Sequence, residues 1–451
     1  MKKIFFLASW LIVSSLPAQQ TVSLKDSTDK MQWFKDAKLG IFIHYGIYAV
    51  NGGGTSWPFR NGQISYADYM KQLDGFTAKN YHPEQWAKLF KEAGAKYAVM
   101  TSKHHDGVAM WDTQLSDLNV VKKTPAGRDL IAPYAKALRI EGLKVGIYFS
   151  LLDWSHPDYA TLFKKNKDKV LNPYDSPVSG VEDETRWQKF LTFRDGQLKE
   201  LADLVNPDLW WFDGDWTRTK EQWKMKELRQ DLLSWNSKTI LNDRLQGYGD
   251  YQTPEQGVPI VGPTEPWELC MTINDSWSYG KNDNNTKSLN YIINIFTDCI
   301  SQGGNLLLDV GPTEDGSITP IQTERLKGLG RWTSKHAEAI YGTTRGLPFG
   351  HFFGPTTLSK DRKTIYCFIL NTPKDDITIK GIKNNITQIR LLGTNEKLIS
   401  KRIGGNVTSV PGILRITLPA EKMDLNASVI AIELDSPLKL YRAKVGAIEE
   451  N

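Results

Sequence analysis

Between Lys38 and Tyr341 short apolar runs alternate with stretches of helical period, and this constrains the fold more than any other feature. The runs cover residues 39–44, 97–102, 144–150, 209–212, 240–243, 269–273 and 306–310. A strand with one wet face alternates apolar and polar residues. These runs are continuously apolar, as in strands covered on both sides. Helical patterns lie between them. Residues 83–93 open on Pro83 and Glu84 and close at Gly94; residues 130–141 close at Gly142. Both obey the usual start and stop chemistry. Residues 187–205 end at Asn206-Pro207, and a fourth pattern spans 221–235. Such alternation over about 300 residues predicts a parallel sheet or a (β/α) barrel, and seven runs come close to a barrel's eight strands.

The pattern changes after Tyr341. Residues 342–355 are rich in Gly, Pro and Thr and read as a linker. Short runs follow at 364–370, 377–379, 386–392, 398–403, 413–418 and 429–434, separated by turn signals such as Asn384-Asn385 and Gly404-Gly405. With no long helix among them, they predict a small antiparallel β-sandwich. The expected organisation is therefore an α/β chain: a TIM-like (β/α)8 barrel over residues 20–345, a sandwich over 346–440 and a tail over 441–451.

The first 19 residues read as an address. Lys2 and Lys3 precede an apolar stretch over 4–16, and Leu16-Pro17-Ala18 resembles a cleavage site. No cysteine follows Ala18, which argues against a lipid anchor. The expectation is an exported protein, periplasmic or secreted, with no membrane span. The three cysteines, Cys270, Cys299 and Cys367, form no CxxC and no disulfide framework. The 56 basic and 51 acidic residues are dispersed, which makes nucleic acid a poor partner. The 15 Trp and 17 Tyr suit either a packed core or the C–H faces of a sugar.

In a barrel the functional side chains lie where strands end. The runs exit into His44-Tyr45-Gly46, Lys103-His104-His105-Asp106-Gly107, Asp153-Trp154, Asp213-Gly214-Asp215-Trp216, Asn242-Asp243-Arg244, Asn274-Asp275-Ser276-Trp277 and Asp309-Val310-Gly311. His44, His104 and His105 admit three readings. One is a metal site, although adjacent histidines on an extended segment face opposite ways. Another is structural hydrogen bonding. The third is hydroxyl recognition, since a neutral imidazole carries one donor and one acceptor. Asp213 ends four apolar residues, where an unpaired carboxylate is costly. Its glycine neighbour leaves room for a ligand, and Asp215 is the rival on the same face of an extended chain. Pairing with Arg244 is the bland alternative. A glycosidase needs a second carboxyl, and Glu255, Glu265 and Glu268 are all candidates that spacing does not rank.

Taken in order, several segments resemble the alpha-L-fucosidases of glycoside hydrolase family 29. They are Trp33-Phe34 with Lys38-Leu39-Gly40-Ile41-Phe42-Ile43-His44-Tyr45-Gly46, the His104-His105 segment, Trp210-Trp211-Phe212-Asp213-Gly214, Asn242-Asp243-Arg244, Trp267-Glu268 with Asn274-Asp275-Ser276-Trp277, and Gly304-Asn305-Leu306-Leu307-Leu308-Asp309-Val310-Gly311-Pro312. The resemblance covers about residues 31–345. It implies an exo-acting, retaining hydrolase of terminal alpha-L-fucose on a fucosylated glycan, with no cofactor and no metal. Asp213 matches the nucleophile and Glu255 the acid/base. His44, His104, His105, Tyr148 and Arg244 match sugar contacts, and Trp57 and Trp277 match the pocket's aromatic lining. One position departs: many members carry an acid before the tryptophan, where this chain has Ser56-Trp57-Pro58. Two other readings of the scaffold are a fucose-binding protein that has lost turnover and a metal-dependent hydrolase built on the His-His-Asp segment.

Overall fold

The computed structural model describes residues 30–159, 183–405 and 410–441. The expected export signal, and the expected tail beyond Tyr441, lie outside them. Seven strands form one parallel sheet: β1 (Leu39–Ile43), β2 (Tyr97–Lys103), β3 (Lys144–Ser150), β4 (Leu209–Asp213), β5 (Ile240–Leu241), β6 (Glu268–Thr272) and β7 (Asn305–Val310). Their order is β5-β4-β3-β2-β1-β7-β6. The gap between β5 and β6 is filled by an irregular eighth stave. Asn242 bridges Tyr251 on one side; Gln252 and Glu255 bridge Trp267 and Cys270 on the other, all parallel. Pro254 interrupts this stave because it has no N–H to give, while its carbonyl still accepts from Cys270 N–H at 3.1 Å. The eighth strand left no apolar run for this reason.

Side-chain alternation divides each strand between two cores. Ile41 and Ile43 on β1, Ala98 and Met100 on β2, and Trp210 and Phe212 on β4 pack outward against the helices. Phe42, Tyr97, Val99, Tyr148, Leu209 and Trp211 fill the barrel interior. Both faces are dry, hence the unbroken apolar runs. Extending the same parity places His44, Asp213 and Asp309 on the interior face at the strands' C-terminal ends. Gly40 is required by this interior, because a Cβ there would meet the Tyr97 ring at 2.4 Å.

Of the surrounding helices, α1 (Pro83–Glu92) and α2 (Ile131–Ile140) fall where expected. Helix α3 (Glu184–Val205) starts three residues early because Asp183 caps it, its Oδ1 accepting from Thr185 and Arg186 N–H. Helix α4 runs Met225–Trp235 and not from 221: Lys224 is left-handed, and 219–224 is a turn. Helices α5 (Leu289–Ser301) and α6 (Pro320–Lys335) complete the outer ring.

The expected linker is partly sheet. Strands β8 (Thr344–Arg345) and β9 (Thr356–Leu358) extend the second unit's larger sheet, which also contains β10 (Thr364–Ile369), β12 (Ile386–Leu391), β13 (Glu396–Lys397) and β16 (Ser428–Leu434). A smaller sheet holds β11 (Ile377–Lys380), β14 (Ser400–Ile403) and β15 (Ile413–Ile416). All pairings are antiparallel. Strand β10 serves two interfaces by alternation. Ile365, Cys367 and Ile369 face the smaller sheet, whereas Tyr366 and Phe368 join the barrel's core around Trp332 of α6. Trp332 Nε1 donates to Ala427 O at 2.9 Å across that interface. All three cysteines are buried free thiols.

Candidate active site

The strand ends bring a group of polar side chains together at one end of the barrel. Asp213 closes β4, where the next residue, Gly214, turns left-handed (φ 86°). A Cβ on Gly214 would meet Leu152 at 2.4 Å, so this glycine serves the turn and its packing and does not open space for a ligand. The same turn breaks the extended alternation, which removes the basis for placing Asp215 beside Asp213. Asp215 instead begins a 3-10 turn.

Asp213 Oδ1 accepts from Arg244 Nη1 at 3.0 Å and from Gly214 N–H at 2.9 Å, and Oδ2 accepts from the Tyr148 hydroxyl at 2.9 Å. Burial pushes its pKa up, and the Arg244 charge, Tyr148 and Gly214 pull it back. Arg244 uses its other nitrogen on a second acid: Nη2 donates to Glu255 Oε2 at 3.3 Å. One guanidinium therefore spans both carboxylates, as a rigid planar fork can. Glu255 is carried by the irregular stave and is 45% exposed, against 15% for Asp213. The other two acid candidates are elsewhere. Glu265 is exposed and accepts from Thr264 Oγ1. Glu268 lies inside the barrel, bonded to Tyr97 and Trp211.

Histidines form the wall. His44 Nδ1 lies 2.7 Å from Asp309 Oδ1 on the neighbouring strand β7, so one proton sits between them and Nε2 is left for a ligand. His104 Nδ1 is 2.5 Å from Ser56 Oγ, itself fully buried. His105 Nδ1 is 2.6 Å from Ser150 Oγ, whose single hydrogen goes to Leu152 O at 2.8 Å. Ser150 must then accept, His105 carries its proton on Nδ1, and Nε2 is a bare acceptor 3.6 Å from Asp213 Oδ2. Burial pushes all three histidines toward the neutral form, His105 to about 3. Their rings do not alternate as an extended segment would require. Strand β2 ends at Lys103, and the rings of His104 and His105 lie 4.2 Å apart. Asp106, third of the His-His-Asp run, turns away to the Tyr69 hydroxyl and Val108 N–H. Among the described residues no three metal-ligating side chains converge.

The aromatics close the ring of contacts. Tyr148 stacks on His104 at 5.6 Å and on Trp211 at 5.7 Å. Trp277 packs on His44 at 5.1 Å, and Trp57 on His105 at 5.4 Å. All nine residues singled out from the sequence thus belong to one contact network: Asp213, Glu255, His44, Trp57, His104, His105, Tyr148, Arg244 and Trp277. Asp309 and Trp211, quoted in the strand exits and motifs without a role, join them, as does Ser150, which was not singled out. Parity along β3, β7 and β4 was the signal that points each of these inward. Chemically, the arrangement offers two acids on one cation, beside neutral imidazoles and flat apolar faces.

A family model described as alpha-L-fucosidase matches residues 9–338. The tissue alpha-L-fucosidase of Macaca fascicularis is 35% identical, over 93% of this chain and 90% of its own. That of Homo sapiens is 32% identical over 88% of each. Among solved structures, alpha-L-fucosidase isoenzyme 1 from Paenibacillus thiaminolyticus superposes with a TM-score of 0.81 at 31% identity, covering 91% of this chain and all of that one. A Bacteroides thetaiotaomicron GH29 alpha-L-fucosidase, trapped as a covalent intermediate with 2-fluoro-fucosyl fluoride, gives 0.79 at 27% identity, covering 90% and 96%.

Proposed function

Since the chain belongs to the alpha-L-fucosidase family, glycoside hydrolase family 29, and so is an enzyme that removes alpha-L-fucose with retention of configuration, we propose that Asp213 is its nucleophile and Glu255 its acid/base. The observation that carries this assignment is the Arg244 bridge between the two carboxylates. Retention needs acids close enough to act on one bond from its two sides, about 5–5.5 Å apart. Asp213 attacks the anomeric carbon while protonated Glu255 gives its proton to the departing glycosidic oxygen. The C–O bond to the leaving group breaks and a fucosyl ester to Asp213 forms. Glu255, now the base, takes a proton from water; the water oxygen bonds to the anomeric carbon, and Asp213 leaves as carboxylate.

The remaining residues bind and orient. His44, His104 and His105, neutral and each with one nitrogen committed to Asp309, Ser56 or Ser150, turn the other to sugar hydroxyls. Tyr148 and Arg244 hold the nucleophile's oxygens so that attack costs no rotation. Trp57 and Trp277 flank the cavity with apolar faces for the ring carbons and the methyl group. The substrate is a fucosylated glycan. Residues 1–19 act as an export signal, which puts the enzyme in the periplasm or outside the cell. The support is the charged start at Lys2 and Lys3 ahead of an apolar run. Among the described residues no helix is long and apolar enough to cross a membrane. The chain divides just before β8, two residues ahead of the expected boundary, into the barrel and a sandwich that braces α6.

The test is turnover of an aryl alpha-L-fucoside by the wild type and Asp213→Gly. Activity is lost in the variant and partly restored by azide, which yields fucosyl azide of inverted configuration. A variant as active as the wild type removes Asp213 from the role.

A further inference from the structure

Directly under the catalytic residues lies a buried acid that the two displacement steps leave unused. Glu268 begins β6 on the interior face and is 0% exposed. Its Oε1 faces Trp211 Nε1 at 3.2 Å, and its Oε2 meets the Tyr97 hydroxyl. An indole N–H only donates, so Oε1 is an acceptor. Tyr97 reaches the acid because Gly40 leaves its ring the space. Trp211 in turn supports two neighbours of the nucleophile: Tyr148 stacks on its ring, and the Arg244 guanidinium lies over it at 5.3 Å. Each of these donates to Asp213, and Arg244 donates to Glu255 as well.

We propose that Glu268 is a positioning residue for this reaction: it fixes the Trp211 indole, and through that ring it holds Tyr148 and Arg244 against Asp213. The inference rests on the roles assigned above to Asp213 and Arg244.

The neutral form follows from the surroundings. Tyr97 comes from β2, Tyr148 and Trp211 from β3 and β4, Asp243 and Arg244 from the segment after β5, Tyr251 from the irregular stave, Cys270 from β6 itself and Asn305 from β7. Among the described residues none makes an ion pair with Glu268. Asp243 repels an anion there, and Tyr251, buried in the same layer, makes no hydrogen bond. Burial is the largest influence, and it pushes the Glu268 pKa up to about 8. The acid keeps its proton below that pH, while Oε1 accepts from Trp211 Nε1 and Oε2 from the Tyr97 hydroxyl, two bonds that pull the pKa back without cancelling the effect of burial. Above it, a buried anion appears beneath the Trp211 ring that supports Tyr148 and Arg244, and the support is disturbed.

The experiment measures kcat and KM on an aryl alpha-L-fucoside from pH 5 to 9.5 for the wild type, Glu268→Gln and Glu268→Ala, with folding followed by thermal unfolding. Gln keeps the acceptor for Trp211 and has no proton to lose. At pH 6.5 Glu268→Gln retains kcat within about threefold, whereas Glu268→Ala loses at least about tenfold in kcat with KM changed less than about threefold. The alkaline fall in kcat moves to higher pH in Glu268→Gln. Coincident alkaline limbs for wild type and Glu268→Gln overturn the inference while leaving the catalytic assignment intact; so does undiminished kcat in a folded Glu268→Ala. If Glu268→Ala does not fold, the pH profile of Glu268→Gln decides alone. A wild type inactive on the fucoside refutes the reading of the site and this inference with it.

Discussion

Arg244 is the residue whose removal most directly tests the geometry, because it touches both acids at 3.0 and 3.3 Å and is only 22% exposed. Arg244→Met removes the charge and both hydrogen bonds while keeping an apolar stem over Trp211. A hydrogen bond to a charged group contributes about 1.5–3 kcal/mol, so losing the one to Asp213 alone lowers kcat/KM by about 10–150-fold. The electrostatic consequence has a definite sign. Burial holds the Asp213 pKa above the usual carboxylate value, and Arg244 is the strongest influence in the other direction. Without it, Asp213 binds its proton more tightly, and the ionised form of this proposed nucleophile is available only at higher pH. The acid limb of kcat/KM therefore moves to higher pH in Arg244→Met. Arg244→Lys keeps a charge but not a fork, and its ammonium serves one carboxylate at a time. It holds the acid limb near that of the wild type and still loses about tenfold in kcat/KM, the worth of one such bond. The assay is a pH–rate series on an aryl alpha-L-fucoside with saturation kinetics at each pH. An acid limb in Arg244→Met that coincides with the wild type's refutes the reasoning, because Arg244 would then have no hold on the proton of Asp213, the proposed nucleophile.

Asp309→Asn leaves His44 facing an amide that offers one acceptor and an NH2, so the imidazole loses its fixed proton; kcat/KM falls about tenfold, about 1.4 kcal/mol, mostly through KM. Saturation kinetics with an unchanged KM would count against a sugar-binding role for His44. Glu268 also predicts a stability trend. Its folded pKa of about 8 lies above the ordinary 4.5, so its contribution is fully present below pH 4.5 and is lost as pH rises toward 8. Across that window Glu268→Gln gains on the wild type by about 1.4 kcal/mol per pH unit, measured by chemical denaturation at pH 5, 6, 7 and 8. A difference that stays flat across the four pH values contradicts the buried neutral acid. At the interface between barrel and sandwich, Trp332→Ala costs about 3–5 kcal/mol through lost packing and the unmade bond to Ala427. A melting temperature within a degree of the wild type's would mean that the two units do not stabilise each other there.

The placement of Asp213, the proposed nucleophile, was legible because strand parity is a local property. The apolar run Leu209-Trp210-Trp211-Phe212 fixes that Asp213 lies on the face of Leu209 and Trp211, and the same count directs His44 inward. Other features were hidden for identifiable reasons. The stave that carries Glu255 contains Pro254 and only single bridges, so it has neither an apolar run nor a ladder to advertise it. Glu265 and Glu268 could not be set apart from Glu255 by spacing, since the choice depends on which of them Arg244 reaches. Strand β8 fell in a stretch whose Gly and Pro content reads as linker, and its pairing with β9, itself paired with β10, supplies what its composition does not.

Local periodicity and residue chemistry alone determined the seven apolar strands, the change to antiparallel sheet beyond Tyr341 and the residues at the strand exits, while Trp57 and the choice of Glu255 came from the family resemblance. The first three of these depend on neighbours a few positions away. Only the tertiary structure decided the partners: Asp309 for His44 across 265 residues, Ser56 for His104 across 48, Arg244 for both acids, and Glu268 withdrawn into the interior under Trp211. Proton positions and charge states follow from these long-range contacts and from burial, which no pattern of nearby residues encodes.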